Sequence, residues 1–369
     1  MKMLALTAAV AALVALPAAA AAPPKGTVPV VTGTAAKPHL LPMHFVGKVK
    51  REKQGVSYQW PGIYFEARFS GLTVGLAFDD NANNFNVLVD GKLLMIVKKP
   101  GHRLISIEAG DAGPHTIRVE KRSETQYATG HFIGFYGSPA PLPAPPARQI
   151  EFIGDSFTVG YGNTSAFKDC TPEDIFETTD AQESFPALVG KHFNADYQNN
   201  AFSGLGMVRN YDGREHAKYR MPMLYPRAIF DDPAPAVQPD WHPQIFVMRL
   251  GGNDFSTDLR PDEPWKTRAD LVTDYEKTFV RFIKDRRAEN PGAFILIAAP
   301  PVSEAEYHTA ITAVFDALKA GGETHIDELT LPETDDTGCN GHPNIRDDKK
   351  VADVIDTYIE AHPALWQGK

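Results

Sequence analysis

The 369-residue sequence predicts two domains of different class: an all-β, jelly-roll-like sandwich, then an α/β/α domain built on a parallel sheet. Three observations predict it. Short alternating strands fill residues 44–137, with no helical period of useful length. A proline-rich stretch at residues 138–146 then interrupts the chain. After it, short apolar runs alternate with helix-length segments, the rhythm of buried parallel strands covered by helices on both faces.

The amino terminus reads as an export signal. Lys2 gives a positive start, residues 4–16 are apolar but too short for a comfortable membrane span, and Ala18 to Ala22 offers small-residue cleavage sites. Residues 1–22 are assigned to a signal peptide, which sends the mature protein to the periplasm or the medium; an uncleaved membrane anchor is the competing reading. Residues 23–43, rich in Pro, Ala, Thr and Gly, form a flexible lead-in.

In the β domain, residues 63–69 and 73–78 alternate in polarity on either side of a turn at Ser70-Gly71. Residues 85–89 and 93–97 flank Asp90-Gly91, a strong hairpin signal. Residues 103–107, 115–119 and 129–135 continue the series, and Asp79-Asp80-Asn81 is too sparse for Ca²⁺ and reads as a turn. Residues 138–147 are a semi-rigid linker of polyproline type and mark the domain boundary.

The second domain occupies residues 148–369. A strand at residues 150–153 breaks at Gly154-Asp155-Ser156, and a helix covers residues 183–193. Residues 196–201 lead to Ser203-Gly204, and a strand at residues 244–250 ends at Gly251-Gly252-Asn253-Asp254. Helices at residues 267–289, 304–318 and 346–359 alternate with a strand at 294–298 and an edge strand at 324–329.

Composition limits the function. A net charge of −9 with no Lys/Arg run argues against nucleic acid or an anionic membrane surface as partner. There is no Gly-rich phosphate loop and no His/Cys spacing suited to zinc, so neither cofactor nor metal is expected. The two cysteines, Cys170 and Cys339, make an even count in an exported chain, which predicts one disulfide; two separate buried thiols are the bland alternative.

A parallel sheet brings its strand ends to one edge, where open α/β sheets bind ligands. Ser156 stands there as a nucleophile, and His342, in Gly341-His342-Pro343-Asn344 before the last helix, as the base that takes its proton. The backbone N–H groups of Ser156 and Gly204 and the side-chain amide of Asn253 would surround a tetrahedral oxyanion. Taken singly these motifs are ordinary turns; their order and their placement at strand ends carry the reading. Asp155 is assigned to the turn and Asp254 to a cap on the segment after it. Tyr161, Tyr211, Trp241 and Trp265 are candidates for stacking on a sugar, each against the plainer reading as core or rim. His131, His192, His216 and His308 have no matching nucleophile and are taken as solvent or core residues.

Gly154-Asp155-Ser156, Gly204, Gly251-Gly252-Asn253-Asp254 and His342-Pro343 resemble the four ordered blocks of the SGNH/GDSL hydrolases. With Arg209-Asn210-Tyr211-Asp212-Gly213 behind an N-terminal β-sandwich, the chain looks like the family 2 carbohydrate esterases over nearly its whole mature length. The resemblance implies a Ser–His acetylesterase of the acetyl-xylan type, acting on an acetylated polysaccharide or oligosaccharide. The pattern breaks at the triad's third member: SGNH enzymes commonly place Asp three residues before the His, and position 339 is Cys. The orienting group is then Asn340, an Asp335 or Asp336 that folds back, or a backbone carbonyl; a dyad oriented by a carbonyl or Asn340 is favoured. Two rivals stand beside this reading: an SGNH lipase or thioesterase, and a glycan-binding protein that has lost catalysis. Oligomeric state, the glycan and its hydroxyl are not legible.

Overall fold

The computed structural model of the chain describes residues 39–214 and 219–367. The assigned signal peptide, most of the lead-in and His216 lie outside the described residues. Ten antiparallel strands come first: β1 (His39–Leu40), β2 (His44–Val46), β3 (Val49–Arg51), β4 (Val56–Tyr58), β5 (Tyr64–Asp80), β6 (Asn84–Val89), β7 (Lys92–Lys98), β8 (Gly101–Glu108), β9 (Pro114–Lys121) and β10 (Gly130–Pro139).

β5 is the spine of this domain. Its alternate residues Phe65, Ala67, Phe69, Leu76 and Phe78 are fully buried. Phe65 and Phe78 join Phe85, Phe132 and Phe135 in a cluster whose ring centroids lie 4.5 to 5.0 Å apart. The turn expected at Ser70-Gly71 is a bend within one strand. Residues 64–70 pair with β9 and residues 73–80 with β8, so each half completes its own ladder and Gly71, at φ +103°, carries the bend. The Asp90-Gly91 hairpin forms with positive φ at both positions, 51° and 75°, as a type I′ turn requires. Asp80 makes the turn read at residues 79–81, its carboxylate accepting the Ala82 and Asn83 backbone N–H groups at 2.8 Å each. Two ends differ from the sequence reading. His39–Leu40, placed in the flexible lead-in, pairs with β10, a two-residue contact too short to leave a pattern. β10 runs on to Pro139, so the first linker positions belong to the sheet.

The second domain carries β11 (Gln149–Gly154), β12 (Asp196–Ala201), β13 (Ile245–Arg249), β14 (Phe294–Ala299) and β15 (Ile326–Thr330). They form one parallel sheet in the order β12-β11-β13-β14-β15. Around it run α1 (Ser156–Val159), α2 (Pro172–Thr178), α3 (Phe185–His192), α4 (Met221–Leu224), α5 (Arg268–Glu289), α6 (Ala305–Ala320) and α7 (Ile345–Ala361). The two longest helices start at reciprocal caps, Thr267 with Asp270 and Asn344 with Asp347, each satisfying donors that a helix start leaves open. The strand order reverses on either side of β11, which puts the carboxyl ends of β11 and β13 at the kind of switch point where open α/β sheets bind ligands.

The domains pack on each other through a continuous core. Trp60 of the β domain stands edge-on to Phe230 at 4.8 Å and donates from its indole N–H to the Arg227 carbonyl at 2.7 Å. The buried Tyr64 hydroxyl donates to Asp196 at 2.6 Å, and Lys48 to the Tyr225 carbonyl at 2.6 Å. Among the described residues no helix is long and apolar enough to cross a membrane.

Candidate active site

β11 ends at Gly154 because only glycine fits there: a Cβ would lie 2.0 Å from Thr158 Oγ1 and 2.8 Å from the Arg249 carbonyl. The chain turns at once into α1. Asp155 caps that turn, its carboxylate accepting the Phe157 N–H at 3.1 Å, the role assigned from sequence. Burial pushes the Asp155 carboxyl above its usual range, and the Arg249 guanidinium 3.5 Å away opposes the shift. Ser156 follows, 7% exposed, at the carboxyl edge of the sheet.

His342 meets it. The imidazole Nε2 lies 2.8 Å from Ser156 Oγ across 186 residues of sequence, and Nδ1 lies 3.0 Å from the Cys339 carbonyl oxygen. A carbonyl only accepts, so Nδ1 carries the proton and Nε2 presents its lone pair to the serine hydroxyl. The ring sits between Tyr161, at 4.4 Å centroid to centroid, and Phe157, at 5.3 Å. Burial lowers its pKa to about 4, against the backbone carbonyls that favour the protonated form and with help from the Arg249 charge. The imidazole is therefore neutral through the whole physiological range.

The third member of the site is the Cys339 carbonyl. Cys339 is joined to Cys170 in a disulfide, its N–H donates to the Gly162 carbonyl at 3.3 Å, and it is fully buried. None of the side chains proposed as orienter, Asn340, Asp335 or Asp336, reaches the imidazole through a hydrogen bond. Asn340 stands at φ +53° and aims its amide away, donating to the Tyr161 hydroxyl at 3.4 Å and accepting the Cys170 N–H at 3.5 Å. The Asp336 side chain is engaged by Thr334, and its N–H donates to Asp347 at 3.2 Å; Asp335 likewise donates its N–H to Asp347, at 3.0 Å. Asp347, which caps α7 reciprocally with Asn344, holds both aspartates in the approach to that helix.

The oxyanion side is assembled by the loop after β12 and the loop after β13. Gly204 has φ +83°, a left-handed conformation that calls for glycine although a Cβ would meet nothing nearer than 4.0 Å. Asn253 donates one amide hydrogen to the Leu205 carbonyl at 2.8 Å, which leaves its second free for a reacting oxygen. Asp254 does not cap the segment after it. Its buried carboxylate accepts the N–H groups of Met207, Val208 and Arg209 at 2.8 to 2.9 Å, binding the two loops together. Burial lifts its pKa to about 7 against those three bonds.

The aromatic candidates separate. Tyr161 is at the site, and Tyr211 is exposed beside Gly204, whose carbonyl accepts its N–H at 2.9 Å. Trp241 is not there: it precedes β13 at the opposite, amino edge of the sheet and donates to Glu151 at 2.7 Å, lining a groove with His44 and Gln149. Trp265 is buried in the core with its indole N–H on Asp274 at 3.0 Å, leaving no face for a sugar. Of the histidines set apart from the nucleophile in the sequence, His131 meets Ser57 at 3.1 Å, His192 meets Glu360 at 2.8 Å and His308 the Pro300 carbonyl at 2.8 Å. Among the described residues no group of three or more His, Cys, Asp or Glu side chains is placed to hold a metal ion.

Sequence reading missed two supports. Arg249, the last residue of β13, lies buried over the Phe157 ring at 4.0 Å and beside Asp155. Arg209, fully buried, is held by Glu263 at 2.6 and 3.0 Å and by the Asp254 and Asp258 carbonyls, locking both oxyanion loops to the segment before α5. The Arg209–Gly213 motif pointed at the first of these loops, but nothing local pointed at Glu263.

Among known proteins, residues 45–146 match the carbohydrate esterase 2 N-terminal family and residues 152–345 the GDSL-like lipase/acylhydrolase family. An acetylxylan esterase / glucomannan deacetylase of Cellvibrio japonicus is 41% identical over 334 residues, 88% of this chain and 92% of that protein. The cellulase/esterase CelE of Acetivibrio thermocellus is 28% identical over 327 residues, 84% of this chain but 38% of that longer protein. A solved carbohydrate esterase whose active site displays divergent catalytic and non-catalytic binding functions is similar with a TM-score of 0.83 at 40% identity, covering 89% of this chain and 100% of that one.

Proposed function

The chain belongs to the GDSL-like hydrolases and, among them, to the family 2 carbohydrate esterases, and we propose that it removes O-acetyl groups from a plant-type polysaccharide or its oligosaccharides by Ser–His catalysis. One observation carries the mechanism: His342 Nε2 stands 2.8 Å from Ser156 Oγ while its Nδ1 is committed to the Cys339 carbonyl.

Ser156 Oγ attacks the acetyl carbonyl carbon as its proton passes to His342 Nε2. The carbonyl π electrons move onto oxygen, where the N–H groups of Ser156 and Gly204 and the free amide hydrogen of Asn253 receive the charge. Each such donor lowers the barrier by roughly 3 kcal/mol. The tetrahedral intermediate expels the sugar oxygen, which takes the proton from the imidazolium, and the acetyl group stays on Ser156. Water, deprotonated by the now neutral His342, attacks the acetyl carbonyl, and collapse of the second intermediate releases acetate and restores the serine hydroxyl. No step needs a metal or a cofactor. Tyr161 and Tyr211 flank the site where the sugar would lie.

Export is proposed from residues 1–22, with the periplasm or the medium as destination; the Cys170–Cys339 disulfide supports an oxidising compartment. Sequencing the amino terminus of the protein recovered outside the cytoplasm should find a start near Pro23, and an intact Met1 there would contradict cleavage.

The deciding experiment is acetate release from acetylated xylan and from 4-nitrophenyl acetate, wild type against Ser156→Ala. Loss of release on both substrates, with the polymer preferred by the wild type, is expected. Release unchanged by the substitution would refute the mechanism, and a preference for long-chain esters would move the substrate to lipids.

A further inference from the structure

The Ser203-Gly204 loop is gripped from outside its own domain. Glu124 lies between β9 and β10 in the β domain, 79 residues earlier in the chain. One of its carboxylate oxygens accepts the Ser203 backbone N–H at 2.7 Å, and the other accepts the Ser203 hydroxyl at 2.5 Å. Gln126, two residues on, donates its side-chain amide to the Ser203 carbonyl at 3.0 Å and also to Glu124 at 3.2 Å. Every polar atom of Ser203 is therefore bonded to the β domain.

The geometry of the peptide unit gives that grip a consequence. The Ser203 carbonyl and the Gly204 N–H belong to one planar, trans peptide, so they point in opposite directions. Fixing the carbonyl on Gln126 fixes the direction of the Gly204 N–H, away from the β domain. The glycine itself, free to rotate at φ +83°, supplies no such restraint. On the other side Asn253 holds the Leu205 carbonyl, so the donor is clamped by one domain before it and by the other after it.

We propose that Glu124 and Gln126 are positioning residues for the oxyanion donor Gly204, and that the β domain thereby forms part of the catalytic apparatus rather than an appendage to it. The proposal rests on the reading of Gly204 as an oxyanion donor. It separates from simple adhesion between domains because many other contacts hold the interface, among them Trp60 to Arg227, Tyr64 to Asp196 and Lys48 to Tyr225.

The test compares Glu124→Ala, Glu124→Gln, Gln126→Met and the double Glu124→Ala/Gln126→Met variant in the full chain, with 4-nitrophenyl acetate as substrate. Lys50→Ala, which removes an exposed interdomain pair to Asp232 at 2.8 Å, is the control for a loosened interface. A misaimed donor should lower kcat by about 10- to 100-fold with KM changed less than twofold. Glu124→Gln, whose amide oxygen still accepts from Ser203, should recover part of that loss. The double variant should be no worse than about twice the poorer single, since both residues hold the same residue, Ser203, on either side of its Cα. Reaction with a fluorophosphonate, whose tetrahedral adduct needs the same donor, should slow in parallel with kcat. Wild-type kcat in Glu124→Ala and Gln126→Met, with Ser156→Ala still inactive, would overturn the proposal and leave the esterase mechanism standing. An equal loss of kcat in Lys50→Ala would overturn it in favour of interface loosening. Activity retained in Ser156→Ala would instead remove the reading on which the proposal rests.

Discussion

The two arms of the site solve one problem in different ways. On the base side, His342 is aimed by a backbone carbonyl of its own domain, and that carbonyl is fixed by a disulfide and by burial. On the oxyanion side, Gly204 sits in a loop whose carbonyl and N–H neighbours are held partly by the other domain. The base arm is stapled covalently, and the oxyanion arm depends on how two domains pack. Burial holds the pKa of His342 down, and a carbonyl dipole, which stabilises an imidazolium less than a carboxylate would, opposes that shift only in part.

The largest effect tests the base arm. His342→Ala removes the only group within reach of the Ser156 proton among the described residues, and kcat should fall by roughly 10⁴-fold in steady-state assays with 4-nitrophenyl acetate. A loss below about tenfold would mean that another base serves Ser156. On the opposite arm, Asn253→Ala should cost about 100-fold in kcat, the usual loss for one oxyanion donor. It also frees the Leu205 carbonyl, so part of that loss should appear as slower fluorophosphonate labelling.

The staple itself comes next. Cys170→Ser opens the disulfide and should destabilise the fold by about 2–5 kcal/mol in denaturant titration. Activity at a temperature where the variant stays folded should drop several-fold, because the Cys339 carbonyl loses one of its restraints. Full activity in the folded variant would show that the burial of Cys339 and its bond to Gly162 suffice. The smallest effect is the most selective. His342 is competent only when neutral and its pKa is depressed to about 4, so kcat/KM should be flat at neutral pH and fall as pH drops through that value. Asn253→Ala should keep that limb, while Cys170→Ser should shift it. An acid limb near the ordinary histidine value of about 6.5 would contradict the burial argument.

Much of the base arm could be read before any coordinates. Gly154-Asp155-Ser156 and His342-Pro343 are side chains at strand ends and a helix approach, and both the strand rhythm and the residue types survive in the sequence. The orienting group could only be left among alternatives, because a backbone carbonyl has no letter of its own; position 339 spells Cys whatever its C=O does. The oxyanion arm was half legible. Gly204 and Asn253 lie in recognisable turns, but Glu124 and Gln126 sit in a β-domain loop with no motif, and Arg209 finds Glu263 only after two loops have met. Trp241 misled because an exposed-looking aromatic carries no sign of which sheet edge it occupies; the pairing of Gln149 with β12 and of Ile245 with β14 decides that. β5 misled in the same way, since Gly71 marks a bend or a turn equally until the partner strands are known.

The most direct test is covalent. Brief exposure of the full-length protein to a fluorophosphonate, followed by peptide mass mapping, reports nucleophile, base and oxyanion donors at once. A single adduct on the peptide containing Ser156, lost in His342→Ala and slowed in Asn253→Ala, is the predicted result. An adduct on another residue, or an enzyme that stays unlabelled while still releasing acetate, would contradict Ser–His catalysis at this site.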